Sequence, residues 1–353
     1  MDQRELRRRQ RRRQRRNRAI ALTICLAAVL GLLLYAAWFL LKPSDEAERE
    51  GLAPTETGQE RQTESETETE TETETETETQ TELPSMPGLE AAMNQAYSAH
   101  GEVIRLSDGA VIARKAEEER TYPASLTKIM TAYVAIENLE DLQEKITLPT
   151  DIFERLWAED ASMAGFSPGE TVTAMDLLYG VMLPSGAESG IALAEKISGS
   201  EEAFVELMNQ KAQELGMEGT HFTNSSGLHD ENHYTTVRDL GILLMEALKN
   251  ETFRQIFTAR TYTTTPTQSN PSGITFEASV FKNMNTDQSA RATGVIQGGK
   301  TGYTLEAGLC LASMGTVGGE EFLVITTGAQ GSHETVQFNI EDALNLYAAI
   351  GLV

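Results

Sequence analysis

From residue 88 onward the chain alternates short apolar runs with polar breaks, and the period of those runs changes along its length. Val103-Ile104-Arg105-Leu106, the turn Ser107-Asp108-Gly109, and Ala110-Val111-Ile112-Ala113 predict a β-hairpin, because an Asp-Gly pair accepts the backbone angles of a tight turn. Residues 126–139 place their apolar side chains at helical spacing instead. That spacing returns near 173–183, 187–198, 201–215, 236–249 and 335–348. Two of these helices have legible starts, Ser200 ahead of Glu201-Glu202 and Thr235 or Thr236 ahead of Val237-Arg238-Asp239. In each case a hydroxyl oxygen can accept from an otherwise free N–H of the first turn. Strand-like segments gather late, around 259–265, 274–281, 293–300, 307–314 and 321–327. A hairpin, a block of helices and then a run of strands predict an α+β domain over 88–353.

The pattern ahead of that domain is different. Residues 19–41 are uncharged and mainly apolar, and at about 1.5 Å per residue they reach roughly 35 Å, enough to cross a bilayer with some tilt. Tyr35 and Trp38 fall toward the end of the run, where an interfacial ring is comfortable. Ten arginines precede it within residues 1–18, which places that segment in the cytoplasm and the rest of the chain outside. A retained anchor fits better than a cleaved signal, because the run is long and Leu40-Leu41-Lys42-Pro43 supplies no small-x-small site. Residues 42–87 are dominated by Thr and Glu and cannot form a core. They read as a disordered, solvated tether that holds the domain at the level of a surrounding wall.

Charge adds an exclusion. The 353 residues carry a formal net charge of −24. The arginine segment contributes about +8, the Thr/Glu tract about −13, and residues 83–353 about −20. A globular part this acidic repels phosphate backbones, so no nucleic-acid partner is expected. Of two cysteines, Cys25 lies in the apolar run and Cys310 stands alone in the domain, so no disulfide framework is available there. Nothing around Cys310 in sequence supplies a base, and a small buried residue is the better reading of it.

Three short segments carry chemistry. In Pro123-Ala124-Ser125-Leu126-Thr127-Lys128 the serine and lysine are three apart, so on a helix they share a face and Lys128 can reach the Ser125 hydroxyl. A serine needs a nearby base to become nucleophilic, and a lysine made neutral by burial and a second cation can serve. In Leu183-Pro184-Ser185-Gly186-Ala187, Ser185 sits between two predicted helices and can relay a proton. Gln297-Gly298-Gly299-Lys300-Thr301-Gly302-Tyr303 offers a cation and a hydroxyl to a carboxylate, on a strand whose glycines allow close backbone approach. Each has an ordinary alternative: a solvent-facing helix start, a helix-linking turn, a Gly-rich strand end. Their order along the chain is what makes them informative.

That ordered set resembles the low-molecular-mass penicillin-binding proteins that act as D-alanyl-D-alanine carboxypeptidases. The likeness extends through Ile129-Met130-Thr131-Ala132, Leu177-Leu178-Tyr179-Gly180, Phe222-Thr223-Asn224, Gly227-Leu228, His233-Tyr234-Thr235-Thr236 and Arg238-Asp239-Leu240. The resemblance implies a β-lactamase/transpeptidase-like fold, an antiparallel sheet flanked by helices with a helical subdomain. It implies that Ser125 attacks the penultimate D-Ala carbonyl of a peptidoglycan stem peptide ending in D-Ala-D-Ala, with Lys128 taking its proton. Ser185 would pass a proton toward the departing D-Ala, and Lys300 and Thr301 would hold the terminal carboxylate. The backbone of Gly302 and Tyr303 would flank the substrate, the N–H groups of Ser125 and Tyr303 forming the oxyanion hole. β-Lactams would act as covalent inhibitors, and no cofactor or metal is implied.

The sequence departs from that pattern twice. The central motif of such proteins reads Ser-x-Asn, whereas position 187 is Ala. No arginine appears in Gly328-Ala329-Gln330-Gly331-Ser332-His333, where relatives often place one for the carboxylate. The first departure keeps open a catalytically impaired wall sensor as the alternative. A β-lactamase is less favoured, since only Glu159 stands before the Ser185 motif as a remote deacylating candidate. The sequence stops near 350 without the extra C-terminal domain and anchoring helix of many relatives, so an N-terminal anchor is expected to take that task. His229-Asp230-Glu231-Asn232-His233 imitates a metal-ligand cluster but precedes a helix cap, without the one-face geometry of a helical histidine pair.

Overall fold

The computed structural model describes residues 86–351. The arginine segment, the expected membrane span and nearly all of the Thr/Glu tract lie outside the described residues. Among the described residues no helix is long and apolar enough to cross a membrane. The chain opens with helix α1 (Pro87–Gln95), whose first helical residue is a proline, a position where the missing N–H costs nothing. The hairpin follows as β1 (His100–Arg105) and β2 (Val111–Lys115), and Gly109 adopts φ +72° at its turn.

A 3-10 turn (Ala124–Leu126) leads into α2 (Thr127–Asn138), and β3 (Lys145–Thr147), α3 (Ile152–Ala158) and β4 (Thr171–Thr173) come next. The helical block continues with α4 (Ala174–Met182), α5 (Ala187–Ser198), α6 (Glu201–Glu214), α7 (Val237–Ala247) and α8 (Glu251–Phe257). Ser200 and Thr236 cap α6 and α7 as the sequence predicts, accepting from Ala203 N and Asp239 N. Thr173 and Asp176 close a reciprocal capping box at the start of α4.

The late segments differ from expectation in one respect. Residues 274–281 are not one strand: β6 (Thr275–Glu277) is followed at once by a one-turn helix α9 (Ser279–Lys282). The strand β5 (Thr261–Thr263) pairs only with β6, so these two form a separate ribbon outside the main sheet. After α10 (Thr286–Ala292), the long strands β7 (Ile296–Thr304), β8 (Gly308–Val317) and β9 (Glu320–Ala329) complete an antiparallel sheet of order β2-β1-β9-β8-β7. Helix α11 (Phe338–Ile350) packs on α1, β8 and β9, while α7 packs against β1 and β9.

Two placements position the site. First, β7 is the edge strand of the sheet, and its outer side runs against the 3-10 turn. Second, α2 is enclosed by α4, α5, α6, α7 and α8, and every residue from Thr127 to Ile136 is buried. An all-round buried helix needs apolar or hydrogen-bonded side chains on every face. Ile129, Met130, Ala132 and Val134 meet that need by packing, so Thr127, Lys128 and Thr131 must meet it through specific polar partners.

Candidate active site

Ser125 occupies the 3-10 turn just before α2. Ala124, the residue before it, holds φ +47°, a left-handed conformation that costs a non-glycine residue about 1–2 kcal/mol. Its carbonyl is fixed from two sides. The Thr127 hydroxyl donates to it at 2.8 Å, and Gly227 packs against it at φ +79°. A Cβ on Gly227 would stand 1.9 Å from that oxygen, so only glycine fits. His233 supports the same turn. Its Nδ1 accepts from the Thr223 N–H at 3.0 Å, which leaves the proton on Nε2 to meet the Thr127 hydroxyl oxygen at 2.7 Å. Burial pushes His233 down to about 4, so the ring is neutral at ordinary pH. The histidine weighed from sequence as a metal ligand thus has both nitrogens engaged, and it supports the turn that carries Ser125.

Lys128 rises from the first turn of α2 beneath Ser125. Its Nζ lies 3.2 Å from Ser125 Oγ and also donates to the Ser226 carbonyl. Burial drives its pKa down to about 7, against the opposing pull of the Glu188 and Glu201 carboxylates. Near neutral pH a large fraction of this amine is therefore free to accept a proton. The loop presenting Ser226 is itself tied by Asn224, whose Oδ1 accepts from Gly227 N at 2.7 Å and from Ser226 N at 3.1 Å.

Opposite stands the Ser185 turn between α4 and α5, with Ser185 at φ +69° and 7% exposed. Lys300 reaches it from β7, donating to Ser185 Oγ at 2.9 Å and to the Thr301 carbonyl at 2.8 Å. Lys300 is fully buried, and burial together with the Lys128 charge holds its pKa well below the usual lysine range. Thr301 pairs its hydroxyl with Ser279 at 2.6 Å, which gives the one-turn helix α9 a reason to follow β6. Gly302 brings β7 against the Ser125 turn, since a Cβ there would lie 3.1 Å from Ser125 N. Ser125, Ser185, Thr301, Gly302 and Tyr303 line one cleft of about 200 Å³, with Ser279, Lys282 and His333 on its other walls. Lys128 and Lys300 lie beneath it, hydrogen-bonded to the two serines.

The remaining candidates sit elsewhere or do other work. Cys310 pairs in register with Gly302 but is buried within the sheet, where burial pushes its thiol up to about 12. His229 stacks edge-on against Tyr122 at 4.8 Å. Ala187 is buried and uses its N–H on the Ser162 carbonyl at 2.8 Å. Glu188 turns away from the cleft to accept from Ala164 N at 2.7 Å and Gly165 N at 3.0 Å. Sequence reasoning assigned no role to Ser226, Asn224, His233 or Ser279. The first three fall in or beside the 222–240 resemblance, which was the available signal. Ser279 had none, because a single serine after a short strand carries no pattern.

Comparison with known proteins identifies the family. Residues 89–331 match the model of the peptidase S11 family, described as D-alanyl-D-alanine carboxypeptidase. The D-alanyl-D-alanine carboxypeptidase DacF of Bacillus subtilis is 34% identical over 239 residues, which make up 66% of this chain and 57% of that protein. This chain thus spans little more than half the length of that relative. The D-alanyl-D-alanine carboxypeptidase of Streptomyces sp. strain K15 is 35% identical over 228 residues, 62% of this chain and 77% of that protein. Among solved structures, the Streptomyces K15 DD-transpeptidase superposes with a TM-score of 0.65 at 28% identity, covering 73% of this chain and 98% of the other. Penicillin binding protein 5 of Haemophilus influenzae superposes with a TM-score of 0.62 at 26% identity, covering 71% and 70%. With the family model matched across most of its length and a penicillin-binding/transpeptidase-like fold around the cleft, the chain belongs to the peptidase S11 family.

Proposed function

We propose that the domain is a serine-type D-alanyl-D-alanine carboxypeptidase that trims peptidoglycan stem peptides through an acyl-enzyme at Ser125. The observation that carries this reading is the buried Lys128 amine 3.2 Å from Ser125 Oγ, in a cleft whose opposite wall carries Ser185 and Thr301. Ser125 Oγ attacks the penultimate D-Ala carbonyl while its proton passes to neutral Lys128. The backbone N–H groups of Ser125 and Tyr303 receive the developing oxyanion, a contribution of about 3–4 kcal/mol in acyl transfer of this kind. The bond to the terminal residue then breaks, and its nitrogen takes a proton through the Ser185 hydroxyl, which Lys300 orients. D-Ala leaves, and water adds to the ester to return Ser125 and release the shortened peptide. The Thr301–Ser279 hydroxyl pair and the nearby Lys300 hold the substrate carboxylate. A β-lactam mimics the peptide, acylates Ser125 and leaves slowly.

The same proposal extends to location. Residues 19–41 anchor the chain with residues 1–18 in the cytoplasm, and residues 42–87 tether the domain toward the wall. The uncharged run and the arginines beside it support this reading.

A fluorescent penicillin followed on a denaturing gel, beside D-Ala release from a pentapeptide, tests the reaction. The wild-type chain takes label and releases D-Ala, whereas Ser125→Ala does neither. Label that does not depend on Ser125 would refute the nucleophile, and label that persists without D-Ala release would refute the carboxypeptidase.

A further inference from the structure

The four residues of the one-turn helix α9 divide between two surroundings. Val280 and Phe281 are buried, and the Arg260 guanidinium covers the Phe281 ring at 4.3 Å. Ser279 and Lys282, three positions apart and so on one face, line the cleft instead. That face is held from several directions. The Ser279 N–H donates to the Leu183 carbonyl at 3.0 Å, just ahead of the Ser185 turn, and the Ser279 hydroxyl pairs with that of Thr301 at 2.6 Å. The β5–β6 ribbon leading into α9 is docked on α4, where Asp176 accepts from the Tyr262 hydroxyl at 2.9 Å and from Thr265 N at 3.1 Å.

The backbone of Lys282 is thereby fixed at the cleft while its amine stays uncommitted. The side chain is exposed, and among the described residues no carboxylate lies within ion-pair distance of it. It is also the one side chain of fixed positive charge in the cleft lining among the described residues. Lys300 is the other lysine near Thr301, but it is fully buried beneath the cleft and already donates to Ser185 Oγ and the Thr301 carbonyl. Its lowered pKa makes it a weak source of charge near neutral pH. The lining carries one carboxylate, Glu277 of β6, and the domain as a whole is acidic. An anionic substrate end entering such a cleft gains from a local cation, which hydroxyl groups do not supply. Side chains three apart on a helix start about 5–6 Å apart at Cβ, so the flexible Lys282 amine reaches an anion seated on the Ser279 and Thr301 hydroxyls.

We propose that Lys282 is a substrate-binding residue whose ammonium pairs with the C-terminal carboxylate of the stem peptide at the Ser279–Thr301 hydroxyl pair. This rests on the reaction and the carboxylate seat proposed above, to which it adds the charge. The carboxylate keeps its charge throughout the reaction, so the pairing stabilises bound substrate and transition state alike and is read in KM rather than kcat. Because the lysine is exposed, its effect is modest and is screened by salt.

The probe is Lys-D-Ala-D-Ala with both lysine amines acetylated, whose only charge is its C-terminal carboxylate. KM and kcat for D-Ala release, with thermal melting alongside, are measured for the wild-type chain, Lys282→Met, Lys282→Arg and Lys249→Met, at about 20 mM and about 500 mM salt. Lys282→Met keeps the apolar stem, melts like wild type, and raises KM about fivefold at low salt with kcat within about twofold. Most of that difference disappears at high salt. Lys282→Arg keeps the charge and stays within about twofold of wild type. Lys249 pairs with Glu246 at 2.6 Å outside the cleft, and Lys249→Met removes the same charge without changing KM. A KM for Lys282→Met within about twofold of wild type, a rise shared by Lys249→Met, or an arginine variant as weak as the methionine one overturns this inference and leaves the carboxypeptidase reading intact. A wild-type chain that releases no D-Ala removes both.

Discussion

Replacing Gly227 by alanine asks how closely the Ser125 turn depends on a loop about a hundred residues away. The added Cβ would start 1.9 Å from the Ala124 oxygen, and ordinary contact begins at 3.4 Å. The obstacle is backbone on both sides, so no side chain can swing away. Two costs add. A left-handed non-glycine residue at φ +79° costs about 1–2 kcal/mol, and forcing atoms into a packed interior costs about 1–3 kcal/mol more. The separation required moves either the turn that carries Ser125 or the loop whose Ser226 carbonyl holds Lys128. Displacement of about 1 Å at reacting groups lowers rates by about a hundredfold. Gly199→Ala is the matched control: φ is +82° at the end of α5, and nothing lies within 4 Å of the added atom. Penicillin acylation rates and denaturant unfolding measure both variants. Gly227→Ala loses about 2–5 kcal/mol of stability and about a hundredfold in acylation. Gly199→Ala loses about 1–2 kcal/mol and acylates normally. Acylation by Gly227→Ala within threefold of wild type, or an equal loss of activity in the control, would refute the close-approach argument.

Two further outcomes follow from the same geometry. In the proposed reaction Lys128 must be neutral to take the Ser125 proton, and its pKa is held near 7, so acylation is expected to be level above that pH and to fall about tenfold per unit below it; a rate independent of pH from 8 to 5.5 would exclude Lys128 as the base. Ser279→Ala removes the 2.6 Å hydroxyl partner of Thr301, while the Ser279 N–H bond to the Leu183 carbonyl at 3.0 Å remains. Loss of one such hydrogen bond, about 1 kcal/mol, raises KM for a D-Ala-D-Ala peptide about fivefold with kcat and melting temperature little changed; a fall in kcat alone would place Ser279 in the chemistry instead.

Much of the α+β order was legible in the sequence because helices and strands have different apolar periods. Helices α2, α4, α5 and α6 and the three late strands of the main sheet fall close to where those periods put them. What escaped was short or depended on distant contacts. Helices α3, α8 and α10 span seven residues each, too few turns for a period to stand out. The segment 274–281 alternates well enough for a strand, but Ser279 turns into a helix, where it donates its N–H to the Leu183 carbonyl and pairs with Thr301. That contact joins residues far apart in sequence, and no local pattern encodes it.

The candidate site divides along the same line. Spacing singled out Ser125 and Lys128 as candidates, and order along the chain singled out Ser185 and the 300–303 segment, because both are properties of the string. The depth at which each group sits is not such a property, and depth governs the chemistry. A lysine at the surface of a helix start stays charged near neutral pH and cannot serve as a base. Lys128 is driven down to about 7 because α2 is enclosed by five helices. One trace of that burial does exist in the sequence: Ile129-Met130-Thr131-Ala132-Tyr133-Val134-Ala135-Ile136 has no charged face for solvent. A lysine at the head of a helix with no polar side must be enclosed with it or mark its edge. The adjacent buried threonines, one bonded to His233 and the other to the Ser225 carbonyl, decide for enclosure. Apolar periodicity that fills every face of a helix therefore speaks to the proton affinity of the polar residues within it, even before their partners are known.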